Sequence, residues 1–422
     1  MQGNGEAQEI VAIERGKASI RDLHAWKAVL RGNFLVLLVT WIIWRFSMRL
    51  TQPYRAPFII KVLGGSPAIL GLISAVGSIV RFIVFIPGGY IADKWGRRKI
   101  ISAMTFFMAF SYLFYVFAID WTWALMSSVI AASAVVYLPA LRAMTSDSLP
   151  PQYRGLGFTI QNYLPSISAI LSPTLGAMLI EAYGYDFGVR LAFALQFGSG
   201  LAAATLRTLF LKETLKRSEV TGGLSDSISE LIGAVKRVPR QVWYVILGLF
   251  MSRIGEVVGQ YRILYYTEVK HLSTLSWGVI LSASSAISIA VGMLIGPLVD
   301  KYGRRITSII LSIVFIAGSL QFIYASDFTS FLIAMAIITT TRSAVAIGLR
   351  ALQADLTPRT LRGRINAIGL MLHQFLLTPI SYLIGIGYEL NPAIPFIFDT
   401  SIALVTLALL ILFIREPEKA YY

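Results

Sequence analysis

The sequence predicts an all-α integral membrane protein of twelve transmembrane helices, arranged as two pseudo-symmetric six-helix bundles, and three observations predict it. Composition is the first: of 422 residues, 56% are hydrophobic and 14% charged, whereas about a quarter of the residues of a soluble domain are charged. The second is segmentation, because the chain divides into twelve apolar runs, most of them at least as long as the ~20 residues that cross a bilayer. An internal repeat of about half the chain is the third.

Residues 1–32 form a tail of mixed charge without the basic, apolar and small-residue zones of a signal peptide. Apolar runs then fall at 33–60, 67–92, 99–119, 122–147, 155–183 and 188–211 and make a first bundle, 33–211. A polar linker, 212–241, separates it from six further runs at 242–268, 273–299, 305–325, 328–355, 363–388 and 394–414. These make the second bundle, 242–414, followed by a short tail, 415–422.

Lys and Arg collect in alternate connections: Lys27 and Arg31 in the tail, Lys94, Arg97, Arg98 and Lys99 after the second run, and Lys212, Lys216, Arg217, Lys236 and Arg237 in the linker. The positive-inside rule then places both termini and the linker in the cytoplasm of a multi-pass cell-membrane protein. The net charge of +15 is therefore read as topogenic, and no nucleic-acid partner is expected. With no Cys, disulfides, thiolate metal sites and Cys nucleophiles are excluded. The sequence also has no His-Glu-x-x-His, Gly-x-Ser-x-Gly or phosphate-binding loop, so an enzyme, a cofactor, a metal and direct use of ATP are not expected.

The halves repeat. GGYIADKWGRR at 88–98 returns as IGPLVDKYGRR at 295–305, an offset of 207, and DSLPPQYRG at 147–155 returns as DLTPRTLRG at 355–363, an offset of 208. Two different patterns at nearly one offset signify a parallel duplication of a six-helix unit about an axis along the membrane normal.

The Gly-x-x-x-Asp-Lys-x-Gly-Arg-Arg pattern, at Gly89, Asp93, Lys94, Gly96, Arg97 and Arg98 and again at Gly296, Asp300, Lys301, Gly303, Arg304 and Arg305, resembles the signature loop of the major facilitator superfamily. So does the Asp-x-x-Pro…Arg-Gly pattern at Asp147, Pro150, Arg154 and Gly155 and its copy at Asp355, Pro358, Arg362 and Gly363. The resemblance covers essentially the whole chain. It implies a secondary transporter working by alternating access, in which Arg97 pairs with Asp147, Arg304 pairs with Asp355, and Asp93 and Asp300 brace neighbouring helix ends. The antiporter-associated glycines of the fifth helix are mostly replaced here, around Ser172, Pro173 and Gly176.

Charges inside the runs carry the functional reading, since an ionisable side chain deep in a span costs at least ~2.5–3.5 kcal/mol and normally faces a cavity or a partner. Arg45 and Arg253 are repeat mates near mid-span, and Gln52 and Gln260 obey the same offset of 208. Separated by seven residues on each helix, Arg and Gln share a face. Two inward guanidinium groups at one depth would form a pincer for an anion, an arrangement similar to that of the organophosphate/phosphate exchanger branch of the superfamily. Arg49 extends the Arg45 face by one turn. Arg142 and Arg350 lie five residues before Asp147 and Asp355 and are assigned to the gate with them. Arg81 and Arg342 add further positive charge to the spans.

Glu256 is the acid at depth, three residues from Arg253; it is either a carrier of a coupling proton or a permanent partner for that Arg. His373 either meets a proton or substrate or serves packing. The expected function is transport of a small organic solute, anionic as a phosphate ester, carboxylate or similar group, by a monomer coupled to protons or a counter-substrate. The alternatives are export of lipophilic or cationic compounds and a carrier of sugars or other neutral solutes.

Overall fold

A computed structural model of the chain describes residues 23–215, 233, 238–358 and 360–416. Among the described residues, twelve helices are long and apolar enough to cross a membrane. The first six are span one (Gly32–Val62), span two (Pro67–Trp95), span three (Arg97–Val116), span four (Trp121–Asp147), span five (Pro151–Tyr183) and span six (Tyr185–Phe210). Span seven (Arg240–Gly259) is prolonged by Arg262–Leu264 and Tyr265–Val269; spans eight to twelve are Thr274–Tyr302, Arg304–Tyr324, Phe328–Leu356, Arg362–Leu390 and Ile394–Leu412. No strand occurs among the described residues. The end of the expected tail is itself helical over Leu23–Val29, because Val29 packs with Phe34, Leu38, Leu149 and Ile160.

The duplication reaches the helix ends. Ser66 and Ser273 accept the backbone N–H of Ile69 and Ser276, and Asp120 and Asp327 accept those of Thr122 and Thr329 at 2.8 and 2.9 Å, satisfying orphan donors at four helix starts. Gly96 and Gly303 make the sharp reversals after spans two and eight at φ +87°, a conformation that costs a side chain strain. Spans one and seven also share a distortion: each passes through an irregular turn into a π-helical segment, Phe58–Val62 and Tyr265–Val269. Pro53 and Pro57 remove backbone donors in span one; span seven has no Pro there, so packing imposes the same deformation on a different sequence.

The bundles meet unequally at their two ends. The largest core joins both of them through Tyr54, Phe58, Tyr261, Tyr265 and Tyr266 on the face remote from the termini, whereas the cores toward the terminal face belong to one bundle each. On the remote side the contact is close. A Cβ on Gly71 of span two would stand 2.5 Å from the Ser381 carbonyl oxygen of span eleven, and one on Gly385 would stand 2.4 Å from that of Pro67. The inter-bundle hydrogen bonds among the described residues run from that face only to mid-depth: Tyr261 to Pro67, Ser74 with Gln260, Thr174 with Ser282, and Arg81 Nε to Gln374 Oε1 at 3.4 Å. The bundles are thus joined on the remote face, while their cores toward the termini are separate.

Candidate functional site

Five arginines of spans one, four, seven and ten lie at or on the terminal side of mid-depth. Arg45 and Arg253 each lie thirteen residues after the start of their helices, at Gly32 and Arg240, about 20 Å along. Arg49 follows one turn later on span one, and Arg142 and Arg350 sit on spans four and ten, which end at Asp147 and Leu356. None of the five makes a hydrogen bond or an ion pair among the described residues, and Arg45 Nε is buried without any partner. They repel one another instead: Arg45 acts on Arg49, Arg253 of one bundle acts on Arg142 of the other, and Arg350 feels both Arg253 and Arg142. Arg253 therefore has Arg142 and Arg350, not Arg45, as its electrostatic neighbours in this state.

Other arginines are satisfied. Arg97 pairs with Asp147 and Arg304 with Asp355, each inside one bundle. The side chains of Asp93 and Asp300 lie outside the described residues. Arg342 of span ten crosses span seven at Gly255, where a Cβ would fall 1.4 Å from its Nη1. It donates to the Ser252 carbonyl at 3.0 Å and to Asp399 Oδ2 of span twelve at 2.6 Å, and stacks 4.6 Å above Phe315. Asp399 also accepts from Arg262 at 3.3 Å and is 3% exposed. Arg342, expected to add to the charge of the spans, is thus neutralised within its own bundle.

The remaining expected residues separate. Gln52 is exposed, while its mate Gln260 is held by Ser74 at 3.2 Å. Glu256 is exposed and makes no ion pair with Arg253; its charge is felt by Arg81 and Arg350. His373 is 4% exposed, packs edge-on to Phe250 at 5.9 Å, and leaves Nδ1 without a partner. Spans seven, ten and eleven line a partly open pocket against His373, with Arg253 and Arg350 on its wall beside Gln353 and Asn366.

Sequence reasoning missed two acids. Glu213 accepts the backbone N–H of Arg97 and Arg98 at 3.3 and 3.0 Å, and Glu416 accepts that of Arg304 at 2.8 Å. Each closes the helix start behind a glycine turn, and a Cβ on Gly96 or Gly303 would crowd its carboxylate at 2.9 or 2.5 Å. The signal was available as the repeated Phe-Leu-Lys-Glu and Phe-Ile-Arg-Glu at 210–213 and 413–416. Burial opposes the charge of Glu213, but the N–H groups of Leu215, Arg98, Thr214 and Arg97 outweigh it and hold the carboxyl below its ordinary range.

The family profile described as the Major Facilitator Superfamily matches residues 32–378 and 278–421. A Na⁺, Li⁺, K⁺/H⁺ antiporter of Planococcus maritimus is 22% identical over 367 residues, covering 81% of this chain and 84% of the relative. A probable galactarate/D-glucarate transporter of Bacillus subtilis is 24% identical over 321 residues, covering 65% and 66%. Among solved structures, a D-xylose-proton symporter superposes with a TM-score of 0.72 at 15% identity, over 91% of this chain and 97% of that one. Their substrates differ in charge and size, so the likeness gives the fold and leaves the solute to be argued from the cavity.

Proposed function

The chain belongs to the major facilitator superfamily and is one of its secondary transporters, not an enzyme, and from that premise we propose that it moves a small organic anion by alternating access. The observation that carries the reading is the set of five arginines, Arg45, Arg49, Arg142, Arg253 and Arg350, supplied by both bundles and unpaired among the described residues. Arg45, Arg49 and Arg253 are half-buried and Arg142 and Arg350 exposed; positive charge partly withdrawn from water within the spans is costly unless an anion completes it, and guanidinium offers paired donors to a carboxylate or phosphate. The sugar-acid relative is consistent with this reading.

The distribution of Lys and Arg supports cytoplasmic termini, and on that reading the bundles are parted on the inward side. Arg142 and Arg350 then stand nearer the entrance and Arg45 and Arg253 deeper, so an arriving anion is drawn inward along successive positive charges. The pincer of Arg45 and Arg253 closes when the bundles rock together around the solute. Glu256, exposed beside this charge, is the group placed to exchange a coupling proton.

The test is thermal stabilisation of the purified protein by phosphate esters, carboxylates, sulfonates, neutral sugars and lipophilic cations. Stabilisation is expected from anions, with loss in Arg45→Gln and Arg253→Gln variants that keep their fold. Stabilisation by sugars or cations that survives both substitutions would transfer the function to the neutral-solute or export reading.

A further inference from the structure

The two-fold repeat holds for the arginines and fails for the polar groups beside them. Arg253 and Arg350 match Arg45 and Arg142 at an offset of 208, but at the same offset Gln353, Asn366 and His373 match Thr145, Phe158 and Pro165. In the N-terminal bundle Thr145 is spent on the Leu141 carbonyl at 2.8 Å, and Phe158 and Pro165 offer no side-chain polar atom. In the C-terminal bundle all three polar groups border the cavity with Arg253 and Arg350. The Gln353 and Asn366 side chains make no hydrogen bond among the described residues, and His373 is buried with Nδ1 unpartnered. Gln353 is half-buried and Asn366 exposed, so the cost of a buried unpaired atom falls on His373 Nδ1 alone, and a site built to hydrogen-bond a hydroxyl rejects analogues that lack it.

Resting on the anion reading above, we propose that recognition is asymmetric: the C-terminal bundle alone holds the specificity site, and that site selects a hydroxylated carboxylate. The carboxylate occupies Arg253 and Arg350. Two carboxamides and one imidazole remain, each able to donate and to accept, which suits the hydroxyls of a polyhydroxy acid better than a bare alkyl chain. The pocket is bounded on its apolar side by Leu249, Phe250 and Leu370. The Arg pair of the N-terminal bundle has no equivalent polar wall and serves to close over the bound carboxylate.

The experiment compares D-gluconate with hexanoate, a six-carbon carboxylate without hydroxyls, by titration calorimetry on the full-length protein. Wild type is expected to bind gluconate at least tenfold more tightly. Asn366→Leu, Gln353→Leu and His373→Phe, made singly so that one misfolded variant leaves two readings, are each expected to reduce that ratio about tenfold while leaving hexanoate affinity within about threefold. Phe158→Leu, at the repeat mate of Asn366, leaves the ratio unchanged. A gluconate to hexanoate ratio near one, or a preference that survives all three wall substitutions, overturns the hydroxyl site while the anion reading stands. If neither carboxylate binds, nor any other anion, both fall together.

Discussion

At the scale of single residues, the division of the arginines decides what the cavity is for. Arg342 and Arg262 share the buried carboxylate of Asp399, so they belong to the framework of the C-terminal bundle, whereas the five arginines of spans one, four, seven and ten are unpaired among the described residues. Removing one member of a buried pair strands a charge at a cost of about 3–5 kcal/mol. Asp399→Asn and Gly255→Ala are therefore expected to destabilise the protein, the second by driving Arg342 off its seat with a Cβ that would stand 1.4 Å from Nη1. Thermal unfolding in detergent measures this, and the double variant Asp399→Leu with Arg342→Met should be more stable than Asp399→Leu alone. The sequence marked Arg342 as a charge within the spans, but spacing along one helix does not say which neighbour it faces. Spacing therefore did not bring Arg262 and Arg342 together on Asp399.

At the scale of elements, the duplication works through the ends of helices. Asp120 is held below the ordinary carboxylate range first by the Thr122 hydroxyl and then by backbone N–H groups, and Asp327 first by the Ser330 N–H. Because both carboxyls are depressed in the folded state, their stabilisation is full above the ordinary carboxylate pKa and is lost as pH falls through the folded value. Amide exchange at Thr122 and Thr329 should accelerate as pH drops below about 4, after correction for intrinsic rates, and Asp120→Ala should show the fast rate at neutral pH for Thr122 alone. These caps were legible as Asp-x-Thr and Asp-x-Thr-Ser at matched positions. The π-helical segments were not, since Pro53 and Pro57 mark the distortion in span one while nothing comparable marks it in span seven.

At the scale of the whole molecule, one shared core on the remote face and separate cores on the terminal face describe a pair of rigid bodies hinged about the joined end. Turnover requires that junction to open. The absence of Cys lets a pair be introduced without background: Ser74→Cys with Gln260→Cys, joined by a short bis-thiol reagent, should abolish transport while ligand-dependent stabilisation persists. Transport that continues after complete cross-linking would contradict the rocking motion. The twelve spans and the repeat followed from hydropathy and offset alone, because each half must satisfy the bilayer in the same way. The face on which the bundles are closed did not, since both faces of a rocking transporter are encoded by the same chain.

The most direct measurement of the central claim is uptake of a radiolabelled hydroxy-carboxylate such as D-gluconate into proteoliposomes, with external anions as competitors, for wild type and Arg253→Gln. Saturable uptake that is inhibited by other carboxylates but not by glucose, and that falls at least tenfold in the variant, is the predicted result. Uptake indifferent to competing carboxylates, or unchanged in Arg253→Gln protein shown to be folded, would contradict the assignment of the arginine-lined cavity to an anion.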